Sequence, residues 1–188
     1  MKLKSSKKII EYIIVIMMSI LIIIPNGVYA NALVIVNEYN TRKINAEDQR
    51  LLDEYVKNGN NNYPYFDINM AIKNGESEEI LEIGKVFNKF SYDMSQSETG
   101  EALSSVIYLP IWGNWCGPGY GSGKPIDLLD EGCRQHDNCY IHGGNNCKCN
   151  RKLINYINNN LERMTKGQRI MAMAIRLYFQ RENSSNGC

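Results

Sequence analysis

The sequence predicts an all-α protein: disulfide-linked antiparallel helices, a glycine-rich loop ahead of them, and a segment of short helices before that. Three observations carry this expectation. Apolar residues recur at helical spacing in several stretches. All six cysteines lie in the last 73 of the 188 residues, where staples would hold a small core. Five glycines crowd residues 112–123, a density that no helix or strand interior tolerates. With 44% apolar and 22% charged residues the chain reads as globular, neither a disordered tail nor a membrane bundle. A net charge of +1 names no partner.

The first residues read as a targeting segment. Lys2, Lys4, Lys7 and Lys8 precede an apolar run from Ile9 to Ile24, broken only by Glu11 and Ser19. Pro25-Asn26 and Val28-Tyr29-Ala30 follow, with small residues where a signal peptidase reads. Residues 1–30 are therefore expected to be a Sec-type signal peptide cut after Ala30. The alternative is an uncleaved anchor helix, since the run is nearly long enough to span a bilayer. No later stretch could span one. The mature chain is expected to be secreted, and an even number of cysteines fits disulfides in an oxidising compartment.

Charge divides the remainder. Residues 31–109 hold 7 Lys/Arg against 13 Asp/Glu, a net −6, and no cysteine. Residues 110–188 hold 10 against 6, a net +4. The acidic part is a candidate pro-region masking a basic site; compositional drift across a linker is the plainer alternative. Within it, Asn45 caps a helix with Glu47 and Asp48 in the first turn and Leu51, Leu52, Tyr55 and Val56 on the apolar face. Asn58-Gly59-Asn60-Asn61-Asn62 ends that helix. Ser77 caps a second, with Glu78 and Glu79 first and Ile80, Leu81, Ile83, Val86 and Phe87 behind, fading at Ser91. Asp93 to Gly100 reads as a polar linker or processing site. Nothing in residues 31–109 gathers groups for chemistry.

Lys124-Pro125 closes the glycine-rich loop, and a helix from Asp127 to about His142 follows. It places Leu129, Cys133, His136 and Tyr140 on one face, with Asp137 next round. Gly143-Gly144-Asn145-Asn146 breaks it. Two more helices are expected, from about Asn150 to Met164 and from Gln168 to Glu182. The last carries Ile170, Met173, Ala174, Leu177 and Tyr178 as a core stripe. Met171, Ile175 and Phe179 sit off that stripe, placed for further burial or for contact with a substrate or lipid.

A glycine-rich loop can aim backbone carbonyls at a hard cation such as Ca²⁺, which takes about six to eight oxygens, and one carboxylate adds charge. Asp137 can supply that carboxylate while His136 stays free as a general base near neutral pH. Three other readings compete. His136 could be an ordinary packed or surface histidine. Cys133-x-x-His136 with Cys139, Cys147 and Cys149 could bind zinc through thiolates. The loop could cradle phosphate, although it lacks a Gly-Lys-Ser/Thr ending and is followed by Asp127 and Asp130.

Trp112-Gly-Asn-Trp-Cys-Gly-Pro-Gly resembles the calcium loop of the secreted phospholipases A2, read here as a bacterial-type member. Asp127-Leu-Leu-Asp-Glu-Gly-Cys-Arg-Gln-His-Asp-Asn-Cys-Tyr140 resembles their active-site helix, Cys-x-x-His-Asp-x-Cys-Tyr. The resemblance covers Trp112 to about Tyr140, extends to Cys147–Asn150, and says nothing of residues 31–109. It implies Ca²⁺ bound by the carbonyls of Trp115, Gly117 and Gly119 and by both carboxylate oxygens of Asp137. His136 would take a proton from a water attacking the sn-2 ester carbonyl, with Ca²⁺ and the Gly117 N–H holding the oxyanion. A non-catalytic lipid-binding or toxin module on the same fold is the alternative, and intact His136, Asp137 and loop argue against it.

Two departures from the family pattern stand out. The stretch from Gly119 to Asp127 is one residue longer than in the common animal pattern, which loosens the assignment of Gly119. Asn150 stands where the family has an aspartate that orients the histidine. An amide carbonyl still fixes the tautomer but stabilises the imidazolium less, implying a weaker base.

Six cysteines allow about 15 pairings. Cys133 and Cys139, separated by about 9 Å of rise on one helix, cannot bridge each other. The resemblance implies Cys116–Cys133, tying loop to helix, and Cys139–Cys149, tying the two long helices; Cys147 and Cys188 are left. The expected organisation is thus signal peptide 1–30, acidic segment 31–109 and catalytic domain 110–188. The expected partner is a phospholipid surface met peripherally by a monomer, with no nucleic acid. Lys148, Arg151, Lys152, Arg163, Lys166, Arg169, Arg176 and Arg181 would favour anionic lipid, or form a plain solvated surface.

Overall fold

The computed structural model describes residues 46–59, 63–98, 111–118 and 121–188. The signal peptide, the Asn45 cap and Gly119 lie outside the described residues. Residues 46–55 are helical (α1) and lead into strands β1 (Val56–Asn58) and β2 (Pro64–Phe66), antiparallel with Val56 opposite Phe66. Helices α2 (Ile68–Lys73), α3 (Glu78–Glu98), α4 (Leu128–Ile141) and α5 (Asn146–Asn160) follow. A 3-10 turn (Leu161–Arg163) and α6 (Lys166–Ser185) complete the order. The protein is mostly helical, as expected, with one short hairpin added.

Each long helix begins where a side chain can take an orphan N–H. Ser77 accepts from the Ile80 N–H at α3, Asp127 from Asp130 at α4, and Asn145 from Lys148 at α5. Thr165 and Gln168 form a capping box on α6.

Three local expectations are corrected. Asp93 to Gly100 is not a linker throughout, because α3 runs on to Glu98. Tertiary contact sustains it: Phe90 packs against α6 and the Ser91 hydroxyl donates to the Pro64 carbonyl. Helix α5 begins at Asn146 rather than about Asn150, since Asn145 is its cap and not part of the break. The segment after α1 also turns a hairpin, whose three-residue strands are too short to show alternation in the sequence. Strand β2 is an edge, and α3 completes it. The Asn88 amide accepts from the Phe66 N–H and donates to the Phe66 carbonyl, so the strand's outer backbone groups are not left bare.

Helices α3 and α6 pack together, α4 lies on α5, and α5 lies on α6. The α4–α5 pair is antiparallel: Cys139 meets Cys149, His136 meets Asn150, and Gly132 lies against Tyr156. Aromatic rings fill the α3–α6 core. Phe66 stacks between Tyr55 (5.2 Å between centroids) and Phe87 (6.5 Å), while Tyr178 meets Phe87 (6.3 Å) and Phe90 (5.0 Å). Such tilted and edge-on contacts add to what burial of the rings already contributes.

Arg176 belongs to this core and not to the expected basic surface. It is 1% exposed, and its guanidinium lies 2.7 Å from the carboxylate of Asp48, itself 1% exposed. Gln180 donates to the other Asp48 oxygen, and Arg176 donates to Asn158. One buried ion pair thereby joins α1, α5 and α6.

All three bridges are Cys116–Cys133, Cys139–Cys149 and Cys147–Cys188, with no free cysteine. Thiolate ligation of zinc is therefore ruled out in this state. Among the described residues no helix is long and apolar enough to cross a membrane.

Removing one partner of the buried pair strands the other charge. Asp48→Ala should cost about 3–5 kcal/mol of stability in urea unfolding, and an Asp48→Leu/Arg176→Met double variant should recover most of it.

Candidate active site

The glycine-rich loop is built around a carboxylate. Asp130, fully buried on the first turn of α4, accepts the N–H groups of Asn114, Trp115 and Ile126. It thus gathers both arms of the loop. The turn from Trp112 to Cys116 closes through Cys116 N–H to the Trp112 carbonyl (3.1 Å) and Trp112 N–H to the Cys116 carbonyl (3.1 Å). Gly113 sits in it at φ +59°, and a Cβ there would lie 2.3 Å from the Asp130 carboxyl carbon. Both the left-handed angle and the close approach demand glycine. At Gly121 the reason is approach alone, since a Cβ would meet the Trp115 ring at 2.2 Å.

Asp127, the α4 cap, also accepts from the Trp112 indole N–H at 2.8 Å. Burial by itself would raise its carboxyl, but hydrogen bonds from the Asp130 N–H, Gln168 and Trp112 outweigh it and hold the group below its usual value. The Cys116–Cys133 bridge then locks the loop to the middle of α4.

His136 projects from α4 and is 8% exposed. Its Nε2 lies 2.9 Å from the carbonyl oxygen of Asn150 on α5. Tyr140 donates its hydroxyl to the same oxygen at 3.1 Å. Burial, then the negative charges of Asp137 and Glu182, push the Tyr140 phenol up, which keeps that donor protonated. Phe179 (4.7 Å) and Tyr140 (5.0 Å) flank the imidazole. An amide oxygen only accepts, so the contact with Asn150 favours the tautomer with the proton on Nε2 and the lone pair on Nδ1. Nδ1 lies 3.8 Å from Asp137, beyond hydrogen-bond range.

Trp115, Gly117, His136 and Asp137 line one cavity of about 540 Å³, within the range of small-ligand sites. Its other walls are largely apolar, with Ile175 and Phe179 from α6 and Phe90 and Met94 from α3. The off-stripe residues Ile175 and Phe179 thus face the cavity. Phe90 and Met94 come from the segment in which the sequence offered no site residue.

Among the described residues no cluster of three or more His, Cys, Asp or Glu could hold a metal ion. A hard cation needs no such cluster, because carbonyls and one carboxylate suffice. Asp137 Oδ2 is shielded from solvent and has no hydrogen-bond partner, an uncompensated acceptor of the kind a cation satisfies. No N–H of the described residues donates to the carbonyls of Trp115 or Gly117. These residues fit Ca²⁺.

Two residues that shape the site were not singled out for that role from the sequence. Asp130 counts there only as an acid that speaks against a phosphate cradle. Asn183, on α6, accepts from the Asn150 amide at 3.1 Å, and nothing in its local sequence marks it.

A helical, triply bridged protein with a glycine loop against a His-Asp helix is the class that fold and site define. Among curated proteins, the chain is 41% identical over 73 residues to the acidic phospholipase A2 homolog taipoxin gamma chain of Oxyuranus scutellatus scutellatus, covering 39% of this chain and 46% of that one. It is 51% identical over 45 residues to the basic phospholipase A2 beta-bungarotoxin A5 chain of Bungarus multicinctus, covering 24% and 32%. The same figures hold for the beta-bungarotoxin A1 chain of Bungarus candidus. The chain thus spans less than half the length of these relatives, and over that part it is related to phospholipases A2. No family model matches the chain, and no solved structure matches it.

Asp130→Asn leaves one acceptor oxygen for three backbone N–H groups that converge on a fully buried side chain. It should lower stability by about 1–3 kcal/mol in thermal or urea unfolding, and Gly113→Ala should act in the same direction.

Proposed function

We propose that this chain is a secreted, Ca²⁺-dependent phospholipase A2 that hydrolyses the sn-2 ester of glycerophospholipids to a lysophospholipid and a fatty acid. The observation that carries the reading is the state of His136. Its Nε2 is taken by Asn150 while Nδ1 keeps its lone pair at the cavity, beside Asp137.

Nδ1 removes a proton from water as the water attacks the ester carbonyl, and gives it to the glycerol oxygen as the acyl C–O bond breaks. Asn150 holds the opposite N–H, so the ring neither turns nor changes tautomer during the transfer. The Gly117 N–H donates to the oxyanion that develops. Phe90, Met94, Ile175 and Phe179 receive an acyl chain and exclude water from the ester. The carbonyls of Trp115, Gly117 and Gly119 with Asp137 would hold Ca²⁺, and the ion when bound supplies positive charge at the ester oxygen. Asn150 carries no charge to balance an imidazolium, which supports a slower proton transfer than an aspartate would give.

Contact with a phospholipid surface is part of the same reading. Ile141, 74% exposed, borders the cavity, and Ile126, 65% exposed, precedes α4. Lys148, Arg151, Lys152, Arg163 and Lys166 are exposed and would favour anionic lipid.

The packing of residues 46–98 supports a role other than masking. Their removal would uncover Tyr178 and Phe179, strip two walls from the cavity and leave Arg176 without Asp48.

The test is fatty-acid release from vesicles labelled at the sn-2 chain, with Ca²⁺ and then with chelator. Release should require Ca²⁺ and fall about 10²–10⁴-fold in His136→Gln. Ca²⁺ binding without any release would favour the non-catalytic, lipid-binding module instead. A fragment of residues 110–188 should lose activity relative to the mature chain; equal activity would show the acidic segment to be dispensable.

A further inference from the structure

A second cavity lies on the other side of α4, a groove of about 620 Å³ between α4 and α5. Its size again suits a small ligand. Asp137, Tyr140 and Ile141 line the first cavity, whereas Gln135, Asn138 and His142 line the groove. With about 3.6 residues per turn, these two sets point to roughly opposite sides of the helix. At the base of the groove Tyr156 lies against Gly132, so closely that a Cβ there would meet its ring at 2.8 Å.

We infer that this groove binds a phosphorylated polyol, with Lys148 and Lys152 on the phosphate and the amides of Asn138, Asn155 and Asn159 on the hydroxyls. No carboxylate lines it. Among the described residues, these five side chains make no hydrogen bond or ion pair with another protein group.

The electrostatics of α5 point to an anion and not to an ordinary solvated face. The helix has no acidic residue, and Lys148 and Lys152 stand one turn apart on it. Like charges at that spacing repel. Lys148 also sits in the first turn, where the helix dipole disfavours a cation. Lys85, Lys89 and Arg134, on neighbouring helices, each have a carboxylate within ion-pair distance. The lysines of α5 therefore oppose their own helix, and a phosphate between them would turn that repulsion into attraction.

The rest of the lining suits hydroxyls, which both donate and accept, as amides do. His142 adds an acceptor. Its Nδ1 lies 2.7 Å from the Asn138 carbonyl, which only accepts, so in the neutral ring Nδ1 carries the proton and Nε2 the lone pair. A free phosphate ester and a lipid headgroup share this chemistry. The groove faces away from Ile141 at the first cavity, so a surface covering that cavity lies across α4 from it. That placement favours the free ester. The inference does not rest on catalysis beside His136.

The test is calorimetric titration of the mature chain with inositol trisphosphate, at about 0.15 M salt to screen diffuse surface attraction. The trisphosphate should bind and myo-inositol should not. Lys148→Ala/Lys152→Ala should weaken binding about 10- to 100-fold, as expected for lost charge-assisted hydrogen bonds. Lys124→Ala/Lys166→Ala, which removes two cations outside the groove, should change it less than about twofold. All four positions are exposed, so both variants should keep the parent's circular dichroism.

A parallel arm measures sedimentation with vesicles carrying phosphatidylinositol bisphosphate. Capture by vesicles alone, lost with Lys148 and Lys152, upholds the groove and assigns the ester to a headgroup. No binding to either probe at millimolar concentration overturns the inference. An equal loss in the two double variants also overturns it, because the attraction is then diffuse. Inorganic phosphate binding as tightly as the trisphosphate overturns the assignment to a polyol. Neither arm reads fatty-acid release, so the outcome is independent of the phospholipase reading.

Discussion

The carboxylate of Asp130 is buried, no cationic side chain among the described residues pairs with it, and three backbone N–H groups from the two arms of the glycine-rich loop converge on it. A loop this rich in glycine has much conformational entropy to lose on folding. A buried acceptor that must find donors supplies the opposing constraint, because its desolvation is offset only when the loop closes around it. The position of Trp115 and Gly117 at the cavity depends on this closure. The Cys116–Cys133 bridge and the indole of Trp112 on Asp127 then add restraints to an arrangement that Asp130 has already specified.

The site is also continuous with the core behind it. From the hairpin, rings follow one another through Phe66, Phe87, Tyr178 and Phe179 to His136. The imidazole is therefore held by packing on one side and by the Asn150 amide on the other. That pairing of apolar support with one directed hydrogen bond is what keeps an imidazole in a single orientation. It also means that the acidic N-terminal part and the basic C-terminal part share one interior. The opposite charges that divide the sequence meet directly at Asp48 and Arg176, where the pair is buried and each partner needs the other.

Replacing a charged orienting residue by an amide changes what the surroundings must supply. A carboxylate would attract an imidazolium and ignore its own rotation. An amide does less for the charged state and must be told which end to present. Asn150 meets the hydroxyl of Tyr140 at its oxygen and the amide of Asn183 at its nitrogen, so both its ends are engaged. Cys147–Cys188, neither of whose residues lines the cavity, ties the end of α6 back to the start of α5, the helix that carries Asn150.

The features legible in the sequence are those whose information is local. Helix starts at Ser77 and Asp127 follow from side chains three residues from the N–H they accept, whereas Asn145, read as part of a break, caps α5. The His136-Asp137 pair and the glycine density likewise each lie within a short stretch, and it was the resemblance carried by those two motifs that implied the Cys116–Cys133 and Cys139–Cys149 bridges. Other features needed the folded chain. The continuation of α3 through Glu98, and the use of Phe90 and Met94 as cavity walls, depend on α6 lying alongside. Arg176 has the sequence character of a surface cation and is buried because Asp48, 128 residues away, meets it. Asn183 lies 33 residues from Asn150, and no local pattern links two amides that pair only when α5 and α6 pack. The sequence by itself determined that a glycine-rich loop and the His136-Asp137 pair would meet, through residue types at close spacing. Only the tertiary structure decided which distant side chains enclose and orient that pair, because those contacts arise from helix packing and leave no periodic trace along the chain.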